Sequence, residues 1–339
     1  MPPLPNRRDI FKWALSAASL ASARAFPRAP QIAVASTAPD ERCRHLLAAD
    51  GNWRLVDRAA DAEIVWNTSP PPMRAAASID ALRAGKHVIT ELPAALTLTD
   101  CQSLADTLEH TGRHCYLFEP ECYTVESLFV LGLFSAGILG DPLFAETGFC
   151  RTIAGATDSI TLAAHSLPPL GWYMQVNRGD RIHSVGAVES RWIHNALIAT
   201  ERGRTIALSE NTMTPRPDEG LVRIQGTRGV YSGMSNGVFV DGRSPEPEAF
   251  EQVSSYIEYE PALLHGRTET AQALCLRRIA WSLRHEQPPD CDVYDAAVWS
   301  AVPLLAAASI AHGGEPMECP DFTRGQWRDR NPVRAERMS

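Results

Sequence analysis

The sequence lacks the cysteine spacings of a metal or redox site. None of its eight cysteines stands in a C-x-x-C pair or at the spacing of a zinc site. We therefore predict no metal site and expect buried free thiols, although one or two pairs could form disulfides in an oxidising compartment. The cysteines are Cys43, Cys101, Cys115, Cys122, Cys150, Cys275, Cys291 and Cys319.

A positive net charge and a membrane-spanning run are also missing. The formal net charge is -8, which argues against nucleic acid or an anionic membrane as a partner and favours a small neutral or sugar-like ligand. The apolar run from Trp13 to Ala23 has 11 residues, whereas a helix needs about twenty to cross a bilayer. A hydrophobic fraction of 45% with 21% charged residues is typical of a soluble globular protein.

The short apolar run does fit an export signal. It follows Arg7 and Arg8 and ends in Ala23-Arg24-Ala25, which predicts a twin-arginine signal peptide over residues 1–25 and a periplasmic or secreted mature protein. The alternative is a cytoplasmic protein with a basic N-terminus. Twin-arginine export carries folded proteins, often with a bound cofactor, so a cofactor site becomes the main question for the mature chain.

Short apolar strands alternate with helical segments up to Phe118. This alternation predicts βαβ units in a parallel sheet, which holds ligands at the carboxyl ends of its strands. The predicted strands are Gln31 to Ser36, Trp53 to Val56, Glu63 to Asn67, His87 to Thr90 and His114 to Phe118. The predicted helices between them are Asp40 to Ala49, Met73 to Ala84 and Asp100 to Thr111.

The pattern changes to longer strand-like stretches after Ala145, followed by two late helices, Thr268 to His285 and Tyr294 to Ala311. We therefore predict an α/β fold with two domains. A truncated Rossmann-like domain with a parallel sheet covers residues 26–125. An α+β domain with a mostly antiparallel sheet covers residues 126–325, and residues 326–339 form a tail.

The turn after the first predicted strand contains no glycine. It reads Ser36-Thr37-Ala38-Pro39-Asp40, whereas a dinucleotide-binding turn needs glycines so that the backbone can approach the pyrophosphate. Asp40 would add negative charge where phosphates sit, or it is simply a helix N-cap in a fold that binds no phosphate. Asp57 does follow the second strand, where a ribose-binding carboxylate is expected, but the segment from Asp57 to Glu63 is too short for the usual intervening helix and strand.

The stretch from Gly85 to Ala95, GKHVITELPAA, resembles the G-K-H-V-x-x-E-x-P turn of the Gfo/Idh/MocA oxidoreductases. Within that family it is most similar to glycoside hydrolase family 109, the NAD-dependent α-N-acetylgalactosaminidases. Further similar blocks are TGRHC at Thr111, EPECY at Glu119, His165, YMQVNRGDR at Tyr173, TPRP at Thr214, QGTRG at Gln225, DVYDAAVWS at Asp292 and PDFTRG at Pro320.

The resemblance implies a redox-neutral reaction on a sugar. In the family NAD takes a hydride from C3, the ketone acidifies C2-H, the glycosidic group is eliminated, water adds and the hydride returns. By position, His165 and Glu119 are the implied catalytic residues. The implied NAD contacts, together with Asp57, are Asn67, Glu91 and Pro93, and the implied sugar contacts are Tyr123, Arg178, Asp180, Arg216 and His265.

Three tyrosines of the family pattern are replaced, by Phe149, Leu162 and Asp218. Two hypotheses follow: an exported NAD-requiring glycosidase or sugar oxidoreductase, or a sugar-binding protein that has lost catalysis together with its dinucleotide turn. A third is a structural subunit that forms a homo- or hetero-oligomer through an open sheet. For Arg178 and Asp180, an internal Arg–Asp pair within a capped turn is as good a prediction as a sugar contact.

Overall fold

The first half of the chain folds around a small parallel sheet. The computed structural model describes residues 30–38, 41–150, 163–190, 193–211, 219–235, 237–243, 246–249 and 271–333. The sheet has five strands in the order β2-β1-β3-β4-β5, and every pairing is parallel. The strands are β1 (Ile32–Ser36), β2 (Trp53–Leu55), β3 (Ile64–Trp66), β4 (His87–Thr90) and β5 (Cys115–Leu117).

Helices α1 (Glu41–Asp50), α2 (Pro71–Arg83) and α3 (Leu98–Thr111) connect these strands. Strands β3, β4 and β5 are almost wholly buried, as expected for strands covered on both faces. Between β2 and β3 there is only a short 3-10 turn, Ala59–Asp61, so the described sheet has no strand beyond β2. The predicted truncation of the Rossmann-like sheet is confirmed.

The second half contains a nine-stranded sheet in the order β13-β12-β11-β10-β6-β9-β8-β7-β14. All its pairings are antiparallel except that of β6 with β9, which confirms the mostly antiparallel prediction. The strands are β6 (Pro142–Cys150), β7 (Ile182–Glu189), β8 (His194–Thr200), β9 (Thr205–Asn211), β10 (Glu219–Gly226), β11 (Gly229–Ser232), β12 (Gly237–Val240), β13 (Glu248–Ala249) and β14 (Met317–Glu318).

Four more helices complete the described fold: α4 (Val125–Ser135), α5 (Leu167–Tyr173), α6 (Ala271–Arg284) and α7 (Val293–Ala311). Helix α7 is long and apolar enough to cross a membrane, but most of it is buried inside the protein. It packs against α3 of the first half and β7 of the second. Residues 31–339 accordingly form one compact unit, and the division into two domains at residue 125 stays a prediction.

One face of the large sheet carries exposed apolar side chains, including Val188, Leu197 and Met234. The predicted oligomer would form through this open face, and the oligomer stays a prediction.

The seven described cysteines are buried free thiols. Among them, Cys122 and Cys291 have their sulfur atoms 3.9 Å apart, well beyond the roughly 2.05 Å of a disulfide. Residues 1–25, the predicted signal peptide, lie outside the described residues.

Candidate functional site

A carboxylate and an imidazole from the two halves of the chain meet at the carboxyl edge of the parallel sheet. His165 Nδ1 lies 3.0 Å from Glu119 Oε2. Because an ionised carboxylate only accepts, Nδ1 carries the proton of this hydrogen bond. Among the described residues Nε2 of His165 has no hydrogen-bond partner. The geometry is that of an oriented acid–base pair.

Local structure explains how each member of the pair is held. Glu119 follows β5 and caps the 3-10 turn Pro120–Tyr123, with its side chain accepting from the backbone N–H of Glu121. Its side chain is 2% exposed, whereas that of His165 is 43% exposed. His165 lies in a second 3-10 turn, Ala163–Ser166. The pair therefore consists of a buried orienting carboxylate and an accessible imidazole.

The charges around the pair favour the imidazolium form. The hydrogen bond to Glu119 is the main cause that raises the pKa of His165 above 6.5; burial opposes it, and the charges of Glu119, Glu121 and Glu91 add to it. The pKa of Glu121 is itself raised, chiefly by burial and then by Glu119. His165 thus stays protonated to a higher pH than an isolated histidine.

Glu91 and Pro93 lie in the loop after β4, at the same edge of the sheet. Glu91 Oε1 accepts from Trp66 Nε1 at 3.2 Å and lies 3.7 Å from Arg42 Nη2. Buried Arg74 donates from Nη1 to the backbone carbonyls of Glu91, Leu92 and Pro93. Arg74, which the sequence did not indicate as a site residue, therefore holds this loop through its backbone carbonyls.

Asn67 is fully buried and its amide is used inside the protein. Nδ2 donates to the carbonyl of Arg74 at 2.7 Å and to Ser78 Oγ at 2.8 Å. Oδ1 accepts from the N–H of Ser69 and from Thr37 Oγ1. Asn67 consequently organises the turn after β3, and the cofactor contact assigned to it stays a prediction.

Tyr123 is also buried. Its hydroxyl donates to Asp290 Oδ2 at 3.2 Å, and its ring packs edge-on against Trp172. Burial raises its pKa well above the ordinary value, and Asp290 adds to this. Tyr123 is the last residue of the turn that Glu119 caps, its hydroxyl is bound to Asp290, and the sugar contact assigned to it stays a prediction.

The Asn177–Arg181 turn is held by ion pairs to other parts of the chain. Arg178 makes a two-pronged contact with Asp295, at 2.9 Å and 2.7 Å, and its side chain is 6% exposed. Asp180 is fully buried, accepts from the N–H groups of Arg181 and Arg202, and lies 3.6 Å from Arg204. The two ion pairs join the turn to Asp295 of α7 and to Arg204, whereas the predicted pair was within the turn itself, and sugar contacts by Arg178 and Asp180 stay predictions.

Three predicted site residues remain, of which the structure describes only Asp57. Asp57 is exposed beyond the end of β2. Arg216 and His265 lie outside the described residues, as do Leu162 and Asp218. Phe149 lies in β6, but its side chain is outside the described part of the chain. Among the described residues no cluster of three or more histidine, cysteine or acidic side chains could hold a metal ion.

Comparison with known proteins identifies the family. The model of the glycosyl hydrolase 109 C-terminal domain matches residues 191–329, and that of the oxidoreductase family with an NAD-binding Rossmann fold matches residues 13–118. A glycosyl hydrolase family 109 protein of Solibacter usitatus is 31% identical over 326 residues, covering 80% of this chain and 74% of that protein. One from Shewanella amazonensis is 32% identical, with coverage of 80% and 72%. The chain belongs to glycosyl hydrolase family 109.

Solved structures show the same fold at low identity. The aldose-aldose oxidoreductase of Caulobacter crescentus, complexed with glycerol, matches with a TM-score of 0.65 and 16% identity over 86% of this chain and all of that one. The WlbA dehydrogenase of Bordetella pertussis, in complex with NADH and UDP-GlcNAcA, matches with a TM-score of 0.64 and 16% identity, covering 86% and 98%. The family 109 chain thus has the Gfo/Idh/MocA fold.

The family model implies NAD, but the residues at the first turn of this family 109 chain do not fit it. The turn has no glycine, and the backbone N–H of Ala38, a group of the kind that would face a phosphate, donates to Thr68 Oγ1 at 3.1 Å. Ser36 Oγ lies 2.9 Å from the same oxygen. Thr68 was not among the predicted site residues. It follows β3, the parallel neighbour of β1, and so lies at the carboxyl edge of the sheet, where ligands are expected.

Proposed function

We propose that this chain binds a sugar or glycoside beside the His165–Glu119 pair and that the pair transfers a proton to or from it. The observation that carries the proposal is the 3.0 Å contact between an accessible imidazole and a carboxylate that is 2% exposed. Such an arrangement fixes the ring, and a positioned imidazole is the most common group for proton transfer in enzymes. Membership of family 109 supports carbohydrate as the substrate class, as do the myo-inositol and UDP-GlcNAcA complexes of structural neighbours.

Non-catalytic sugar binding is the second candidate. It is favoured by the loss of three family tyrosines and by the role of Glu119 as the cap of its own 3-10 turn. A cap needs no substrate to explain it. The two candidates share the binding site and differ only in turnover.

The test is a sugar titration of the purified protein. Calorimetry with galactose, N-acetylgalactosamine and their methyl glycosides is expected to show binding to the wild type and at least tenfold weaker binding to His165→Ala, because the imidazole is the accessible polar group of the pair. His45→Ala is the matched control, since His45 is exposed on helix α1. Equal binding by all three proteins, or no binding of any of these sugars, would contradict the proposal. Incubation with chromogenic glycosides then separates the two candidates.

We also propose that the chain is exported through the twin-arginine pathway, which Arg7, Arg8 and the short apolar run support. Residues 1–30 fused to a reporter that folds in the cytoplasm should deliver it to the periplasm. The double change Arg7→Lys and Arg8→Lys is expected to keep the reporter in the cytoplasm, because the pathway reads the arginine pair. Fractionation measures this, and unchanged export in the double variant would refute the assignment.

A further inference from the structure

We propose that the chain closes its own dinucleotide crevice with side chains, so that the folded protein retains no NAD. In an open parallel sheet, dinucleotides lie at the carboxyl ends of the strands, where the strand order reverses. Here that point is between β1 and β3, because β2 and β3 flank β1 on opposite sides. The inference concerns the crevice alone and goes beyond the proposed sugar chemistry.

Hydroxyl groups join the two turns at this point. Thr68 Oγ1 donates to the carbonyl of Ala38 at 2.9 Å and accepts from its N–H. Thr37 Oγ1 accepts from the N–H of Thr68 and from Ser69 Oγ, each at 3.0 Å. The backbone N–H of Thr37 donates to the carbonyl of Trp66. The N–H groups of Thr37 and Ala38 are therefore both used inside the protein, and neither is available to a pyrophosphate.

The charge at this turn also opposes a pyrophosphate. Asp40 precedes helix α1 in the sequence, and Glu41 occupies its first turn. An acidic side chain at the N-terminus of a helix repels a bound anion and offsets the partial positive charge there. Two carboxylates in place of glycines make this helix start a poor site for phosphate.

Arg42 crosses the rest of the crevice. It starts on helix α1 beside β1, reaches Glu91 after β4, and lies with its guanidinium 5.6 Å above the ring of Phe118 after β5. Glu91 also accepts from Trp66, whose ring packs on Phe118 at 5.0 Å. These side chains span the ends of the strands along which a dinucleotide would extend. Internal hydrogen bonds thus occupy the phosphate end, and Arg42, whose side chain is 47% exposed, lies over the far end.

The first test is cofactor content. The protein, purified without added nucleotide and then denatured, should release no NAD(H) or NADP(H) above background by mass spectrometry, and 1 mM NAD or NADH should leave its Tm unchanged. The WlbA dehydrogenase, known in complex with NADH, is the positive control. Dinucleotide at a stoichiometry near one per chain, or a Tm that rises with added NAD, would overturn the inference.

The second test is the hydroxyl network. Thr68→Val keeps the side-chain shape and removes the bonds to Ser36 and Ala38, so its Tm is expected to fall by several degrees and to remain insensitive to NAD. Thr111→Val, which removes one bond to a backbone carbonyl at the end of α3, is the matched control. A Thr68→Val protein as stable as the control would contradict the network's role. Sugar titration of the same preparations distinguishes the two proposals. A failure to bind sugar would contradict the proposed function and leave the inference about the dinucleotide crevice unchanged.

Discussion

Replacing Asp295 by asparagine is expected to lower the free energy of unfolding by about 3–5 kcal/mol. Asp295 is fully enclosed and makes two charged hydrogen bonds to Arg178, whose side chain is 6% exposed. It also accepts from Asn177 Nδ2 and closes the capping box of α7 through the N–H of Asp292. Asparagine keeps the shape but leaves a buried guanidinium without its main counter-charge, which is costlier than removing both charges.

Asp106→Asn is the matched control for that measurement. Asp106 also pairs with an arginine, Arg324, but the two side chains are 35% and 52% exposed, so its loss should cost only about 0.5 kcal/mol. Urea unfolding of wild type and both variants gives the comparison. Similar losses at the two positions would show that Arg178 finds other partners, such as Asp292 at 3.5 Å.

The effect of Asp295 should depend on pH in a defined direction. Burial by itself raises its pKa, but the charge and hydrogen bonds of Arg178 outweigh this and lower the pKa below the ordinary 3.8. A carboxyl with a lowered pKa in the folded state stabilises the protein above its unfolded pKa and loses that contribution as the pH falls through the folded value. The wild type and Asp295→Asn should therefore differ most in free energy of unfolding above pH 3.8, and this difference should shrink in stronger acid.

The first half of the fold could be predicted because its strands are short buried apolar runs that alternate with helical segments. The predicted His87 to Thr90 strand is identical to β4, and the other four strands differ by one or two residues at their ends. Helix α4, in contrast, was not predicted. It is apolar on nearly every face and mostly buried, so it lacks the periodicity that separates a helix from a strand.

The topology of the large sheet could not be predicted from local patterns. Strands β6 and β9 are parallel neighbours although β7 and β8 lie between them in sequence. That pairing places Phe144 opposite Thr205, and these residues are too far apart in the sequence for any local pattern to relate them. The short strands β12, β13 and β14 have two to four residues and give too weak a pattern to recognise.

The candidate site could also be predicted only in part from the sequence. Glu119 and His165 were named from motif positions, and the structure brings them within 3.0 Å of each other. Arg178 was assigned by the same reasoning, yet its guanidinium lies in a buried ion pair. A motif fixes which residues occur, but burial decides whether their polar atoms face a ligand or each other. The sequence also carried the hydroxyls of Thr37 and Thr68, whose juxtaposition follows only once β1 and β3 are known to be neighbours.

Turnover of any glycoside that the wild type cleaves is expected to fall about 10²–10⁴-fold in His165→Ala, the usual contribution of a positioned proton-transfer group. The imidazole is the accessible member of the pair, and no other histidine among the described residues contacts Glu119. Initial rates at saturating and limiting substrate give the loss in kcat and in kcat/KM, with His45→Ala as the control. Retained turnover in His165→Ala would place the chemistry elsewhere.

The pH profile of kcat/KM for Glu119→Gln distinguishes a role of Glu119 in catalysis from a purely structural role. Glu119 is the main cause of the raised pKa of His165, through its hydrogen bond and its charge. The limb of kcat/KM that follows the imidazole should therefore lie above pH 6.5 in the wild type and move to lower pH in the variant. If His165 acts as a base, activity rises along that limb; if it acts as an acid, activity falls, but the limb moves in the same direction either way. A stable Glu119→Gln protein whose limb has not moved would show that Glu119 serves only as a cap, because a purely structural carboxylate has no reason to set the proton affinity of the reacting group.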